Sequence, residues 1–218
     1  MAKNVTLINK INSSFEIKCL TVLVKSYNTS IAKKRFSKDW EEKTFSSHLV
    51  SLMNKCDVAL KYKMIITKEE ELEDNEIDNG LKSADEANPI DIRFHNVWSK
   101  EMRLNYIIEA KNISSSQWNK SNESKVNASL QQTEYITKGI DRFLTGHYKD
   151  KKGCMLGYLV NGELDEVLVK INNKIIKQKK STSECINFRS ELNKHAIFES
   201  IHVQRRLNHL FFDYVNHC

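Results

Sequence analysis

At 218 residues, with 40% hydrophobic and 28% charged residues, one proline and a formal charge of +6, the chain can bury a core of its own; this is not a disordered or fibrous composition. Its five cysteines, Cys19, Cys56, Cys154, Cys185 and Cys218, are odd in number and include no CxxC pair, which excludes a zinc knuckle or disulfide framework and suggests reduced thiols. No stretch approaches the roughly 18 uninterrupted apolar residues of a spanning helix, and the N-terminus lacks the apolar core of a leader, so the expected setting is cytoplasmic, with no membrane partner.

In chain order, "FEIKCLTVLVKSY" is rich in β-branched residues and alternates loosely, which predicts a strand or a helix-strand element. "SKDWEEKTFSSHLVSLMNKC" then carries an N-cap candidate in Ser37, acids in the first turn, and Phe45, Leu49, Leu52 and Met53 at helical spacing. "DVALKYKMIIT" reads as a strand. Residues 68–88, "KEEELEDNEIDNGLKSADEAN", concentrate the acids in a loop or insertion and leave the remainder basic, a balance that suits a polyanionic partner.

Two β-prone runs come next, "PIDIRFHNV" and "RLNYIIEAK", spaced as hairpin strands. The Ser- and Asn-rich stretch at 112–129 reads as a solvated loop. "LQQTEYITKGIDRFL" is helical, with Leu130, Tyr135, Ile136, Ile140 and Phe143 as its apolar stripe. "CMLGYLVNG" predicts a buried strand, "DEVLVKINNKIIKQ" a helix, "AIFESIHVQ" a strand, and "LNHLFFDYV" a terminal strand or amphipathic segment. The fold class implied is α/β: one domain over 1–218 with a central mixed β-sheet flanked by helices.

"YIIEAK" poses the chemical question, because an apolar strand here ends on Glu109 and Lys111. Side chains at i and i+2 share a strand face, so this acid and base project together. A hairpin would bring Asp91 beside them. Two carboxylates, with the Ala110 backbone carbonyl as a further oxygen, suit a hard divalent cation such as Mg²⁺ whose other ligands are water and phosphate. Lys111 beside that cation can orient or activate a water, or offset charge on a phosphate. Taken alone, the tripeptide is equally a strand-end salt bridge.

"PID" followed by "YIIEAK" resembles the signature of the PD-(D/E)XK nuclease superfamily, with Pro89 and Asp91 one residue further apart than in the strict PD form. The resemblance covers about residues 36–165, and "YITKGIDRFLTGHY…GCMLGYLVNG" is similar to a bacterial branch of that superfamily. It implies a restriction-endonuclease-like core and a Glu on the helix before the strands. Glu41 and Glu42 are the candidates, and Glu42 lies nearer the apolar stripe. It also implies a Gln on the helix after them, where Gln131 and Tyr135 share a face at i and i+4.

The assignment that results is a metal-dependent DNA nuclease. Asp91, Glu109, Glu42 and the Ala110 carbonyl hold Mg²⁺ or Mn²⁺, Lys111 activates water and Gln131 orients substrate. Lys138, Arg142, His202 and Arg205, with Tyr148 and Arg206, are candidate nucleic-acid contacts. The chain carries no recognisable recognition module, so a homodimer or a partner protein is expected for targeting, and a role in bacterial defence follows from the resemblance alone. RNA as substrate, or a non-catalytic binding subunit on the same fold, remain as alternatives.

Overall fold

The computed structural model describes residues 2–70, 90–99, 102–145, 147–148, 152–179, 181–203 and 205–217. Three helices come first: α1 (Ala2–Lys33), α2 (Glu42–Met53) and α3 (Asp57–Lys61). Three strands succeed them, β1 (Ile65–Glu70), β2 (Ile90–Ser99) and β3 (Met102–Ser114), then a small hairpin of β4 (Trp118–Asn119) and β5 (Lys125–Val126). A helical segment is built from α4 (Ala128–Tyr135), a π-helical turn (Ile136–Ile140) and α5 (Asp141–Leu144). The chain continues through β6 (Gly153–Asn161), α6 (Leu164–Lys179), β7 (Asn187–Leu192), β8 (His195–His202) and β9 (Arg205–Asp213).

Seven strands form one sheet in the order β1-β2-β3-β6-β9-β8-β7. Its centre is parallel, with β6 between β3 and β9, and both wings are antiparallel. Helices cover both faces, which explains why β6 reads as an unbroken apolar run. On one face Leu20, Leu23, Phe45 and Leu49 pack on Phe94, Tyr106, Ile108 and Phe212. On the other, Tyr135, Ile140, Phe143 and Ile171 pack on Ile107, Ile113, Met155 and Phe211. This is the expected α/β class, with a mixed sheet between helical layers.

Several expected elements change. "FEIKCLTVLVKSY" lies inside α1, not in a strand. Val22, Leu23 and Val24 are all fully buried, so the helix is covered on several sides at once and loses the one-sided apolar stripe that betrays a surface helix. "DVALKYKMIIT" divides into α3 and the start of β1. Ser37 does not cap α2: Glu41 stands at its N-cap without a side-chain bond to the helix, and Ser37 Oγ accepts from Asp39 N–H.

The polar stretch after the motif is more ordered than its composition suggests. β3 continues to Ser114, the β4–β5 pair comes next, and Asn127 caps α4 by accepting from Leu130 N–H at 3.1 Å. β7, exposed along most of its length, has no counterpart in the sequence reading. Residues 71–89, most of the acidic stretch together with Pro89, lie outside the described residues. Among the described residues no helix is long and apolar enough to cross a membrane.

Candidate active site

β2 and β3 pair with Ile92 opposite Ile108, and just beyond that pair the ladder gives way to side chains. Ala110 N–H donates to Asp91 Oδ2 at 2.7 Å instead of to a β2 carbonyl. Ile107 and Ile113 face the α4–α5 layer, so Glu109 and Lys111, at the same parity on β3, face it too. From that layer Arg142 Nη1 donates to Glu109 Oε1 at 2.5 Å, and the Tyr148 hydroxyl donates to Glu109 Oε2. The π turn before α5 inserts roughly one extra residue, which rotates α5 by about 100° and sets the direction of Arg142.

Lys111 Nζ is where the cluster converges. It donates to Glu109 Oε1 and to the Ala110 carbonyl, both at 2.8 Å, and lies 3.4 Å from Glu42 Oε2 and 3.8 Å from Asp91 Oδ2. Glu42, the first residue of α2, also accepts from Asn112 N–H at 3.1 Å and so ties that helix end to β3. Glu41 points elsewhere and pairs with Lys120. Of the two candidate glutamates, Glu42 is the one in the cluster.

Burial dominates the electrostatics. It raises Glu109 to about 7, helped by the Asp91 charge and opposed by Lys111 and Arg142. Burial likewise raises Asp91 and Glu42, against the pull of Lys111. For Lys111 burial acts downward, yet the charges of Glu109, Glu42 and Asp91 outweigh it and leave the ammonium pKa raised. Burial and the Glu109 charge push the Tyr148 phenol up, so it stays a donor.

Two cations thus face three carboxylates, and these are hard oxygen donors of the kind Mg²⁺ takes. Asp91 Oδ1 receives no hydrogen bond from the described residues. Among the described residues no group of three or more acidic, His or Cys side chains forms a ready-made cage. The oxygens stand 2.8–3.8 Å from an ammonium, wider than the roughly 2.1 Å of Mg²⁺ ligation. The donor set fits the cation chemically, and loading it requires Lys111 Nζ to withdraw.

The other candidates lie apart from this point. Gln131 Oε1 accepts from Ser114 Oγ at 2.6 Å, three residues and about 10 Å beyond Lys111 along β3. Tyr135, placed by spacing on the same face as Gln131, is buried and its hydroxyl bonds His209 Nδ1 at 2.9 Å. Lys138 is exposed and paired with Glu134 one turn away. His202 is buried in a line of hydrogen bonds from Glu184 through His202 and Ser200 to His209. Burial holds His209 down at about 3, and so neutral. Arg205 lines a small cavity with Leu144 and Val203, and Arg206 pairs with Glu199.

The sequence reading missed the role of Arg142 and Tyr148, since it named both as nucleic-acid contacts and neither as a partner of Glu109. A π turn precedes Arg142, and helical periodicity does not reveal such a turn. Asn112, which also carries a side-chain bond to the Trp40 carbonyl at 2.8 Å, gave no signal either. No family model matches this chain, and no match was found among curated proteins or solved structures.

Proposed function

We propose that the chain is a Mg²⁺-dependent nuclease of PD-(D/E)XK type that hydrolyses DNA phosphodiester bonds. The observation that carries this reading is the convergence at Lys111 Nζ: one cation-sized point is within 3.8 Å of Asp91, Glu109, Glu42 and the Ala110 carbonyl. Those four groups are the metal ligands expected from the sequence. The chain order also supports a restriction-endonuclease-like core, since α2 with Glu42 precedes the strands and α4 with Gln131 comes after them, as the resemblance implies.

A divalent cation held by these oxygens would supply a Lewis acid and lower the pKa of a bound water. In the metal-free cluster the three acidic neighbours of Lys111 raise its pKa and hold it there as an ammonium. Its role is to donate to a phosphate oxygen and offset the charge that grows as the water oxygen bonds phosphorus. The water proton leaves to a carboxylate or to solvent, and the departing oxygen is protonated in turn. Arg142 and Tyr148 fix the Glu109 carboxylate so that its position is set before substrate arrives.

The same contacts favour one rival, in which Lys111 neutralises the carboxylates permanently and the chain binds nucleic acid without cutting it. The two readings separate when the protein is incubated with plasmid, linear duplex, single-stranded DNA and RNA in Mg²⁺, Mn²⁺ or EDTA. Metal-dependent cleavage of the DNA substrates is expected. Cleavage of RNA alone would change the substrate, and binding with no cleavage in either metal would favour the rival.

A further inference from the structure

A second concavity lies on the opposite face of the sheet and owes nothing to the carboxylate cluster. Phe15 and Leu104 form its floor and belong to the core beneath α1–α3, whereas Glu109 faces α4–α5. Leu104 is five residues from Glu109 along β3, about 17 Å. The cavity holds about 580 Å³, within the usual range for small-molecule sites, and its rim carries Lys10, Lys18, Lys61 and Lys63.

Among the described residues these lysines are not tied to an acid, as some others are. Lys25, Lys120 and Lys179 each have a carboxylate partner. Among the described residues Lys10, Lys18, Lys61 and Lys63 have none, and Lys18 and Lys61 instead place their ammonium groups 4.0 and 5.5 Å from the Tyr62 ring centroid. Four like charges around one hollow repel each other until an anion arrives.

The wall is also fixed in place. Asn96 Nδ2 donates to the Tyr62 carbonyl at 2.7 Å, which pins the turn after α3 to β2. Lys63 follows in a left-handed backbone, φ 50, uncommon for non-glycine residues.

Ligand chemistry follows from pairing four cations with an apolar floor and an aromatic side. A fatty acid would bring one negative charge to four ammonium groups. Inorganic phosphate would leave Phe15, Leu104 and Tyr62 without a partner. A duplex is too wide for the cavity. A flat heterocycle joined to two or three phosphates meets both requirements. We propose that this cavity binds a nucleoside di- or triphosphate, with the phosphates among the four lysines and the nucleoside against Tyr62 and the apolar floor.

The test is calorimetric titration of the full-length chain in EDTA, which keeps the carboxylate cluster unloaded, with ATP, inorganic triphosphate, adenosine and a single-stranded 12-mer as separate ligands. ATP should saturate one site, and triphosphate and adenosine should each bind at least roughly tenfold more weakly. Lys18→Ala with Lys61→Ala, and separately Lys10→Ala with Lys63→Ala, should each weaken ATP at least roughly tenfold, with unchanged thermal melting as the check on folding. Lys111→Ala should bind ATP as the parent does. The proposal is overturned by the absence of saturation at millimolar ATP, by either lysine pair proving dispensable, by triphosphate binding as tightly as ATP, or by the 12-mer binding more tightly than ATP.

Discussion

Glu109 is fully buried yet ionises near neutral pH, and its charge is tolerated because Lys111, Arg142 and Tyr148 donate to its two oxygens. Removing it strands the two cations. Glu109→Ala should therefore cost about 3 kcal/mol in urea unfolding, since breaking a buried ion pair leaves uncompensated charge. Asp91→Ala leaves the Ala110 N–H unpaired and removes one of the three acids near Lys111, and should cost about 1–3 kcal/mol. The protonation state gives a second expectation. Below its folded pKa of about 7 Glu109 carries a proton, so Mg²⁺ affinity should rise about tenfold per pH unit up to that value and then level. Calorimetric titrations with Mg²⁺ at pH 6 and pH 8 check this. Without metal the sign reverses for stability: burial raises Glu109 above its ordinary 4.5, so its contribution is present in acid and is lost as pH rises toward 7.

At the scale of elements, the site depends on how closely β3, β6 and the α4–α5 segment approach. A Cβ at Gly153 would collide with Phe143 and stand 2.6 Å from the Ile107 carbonyl, a backbone atom that cannot give way. Gly153→Ala should cost about 2–3 kcal/mol. At Gly139 the obstacle is the end of the flexible Met155 side chain, and replacing a helical glycine recovers about 1 kcal/mol. Gly139→Ala should thus be nearly neutral, and thermal melts of the two variants would show the contrast. The β2–β3 hairpin, β6 and α6 were legible in the sequence because alternation, continuous burial and helical spacing each report a distinct environment. α1 was not, because burial on several sides erased its periodicity, and β7 was not, because "NFRSEL" is an exposed edge strand with no buried face to mark it. Glu109 and Lys111 could be paired from strand parity, and Asp91 added from the hairpin. Arg142 could not, because it follows a π turn that periodicity does not show.

Across the whole molecule, the cluster lies in the C-terminal half of β3, where β2 stops pairing and β6 begins to run parallel beside it. There the change of partner opens the ladder beside β3, and Asp91 takes up the freed Ala110 N–H. α2 and the α4–α5 segment reach the cluster from opposite layers, so the site exists only when both are docked. The lysine-rimmed cavity occupies the other face and other end of β3, which keeps the two proposed sites separable by mutation. In the proposed reaction Lys111 acts in the chemical step while the carboxylates hold the cation. The most direct test follows cleavage of end-labelled duplex DNA by the parent chain and Lys111→Ala in Mg²⁺ and in EDTA, with Mg²⁺ affinity measured on both proteins. Expected are cleavage by the parent only with Mg²⁺, a loss of at least about 100-fold in rate for Lys111→Ala, and Mg²⁺ bound by the variant no more weakly than by the parent. Cleavage by Lys111→Ala at the parental rate, or by the parent in EDTA, would contradict the proposed reaction.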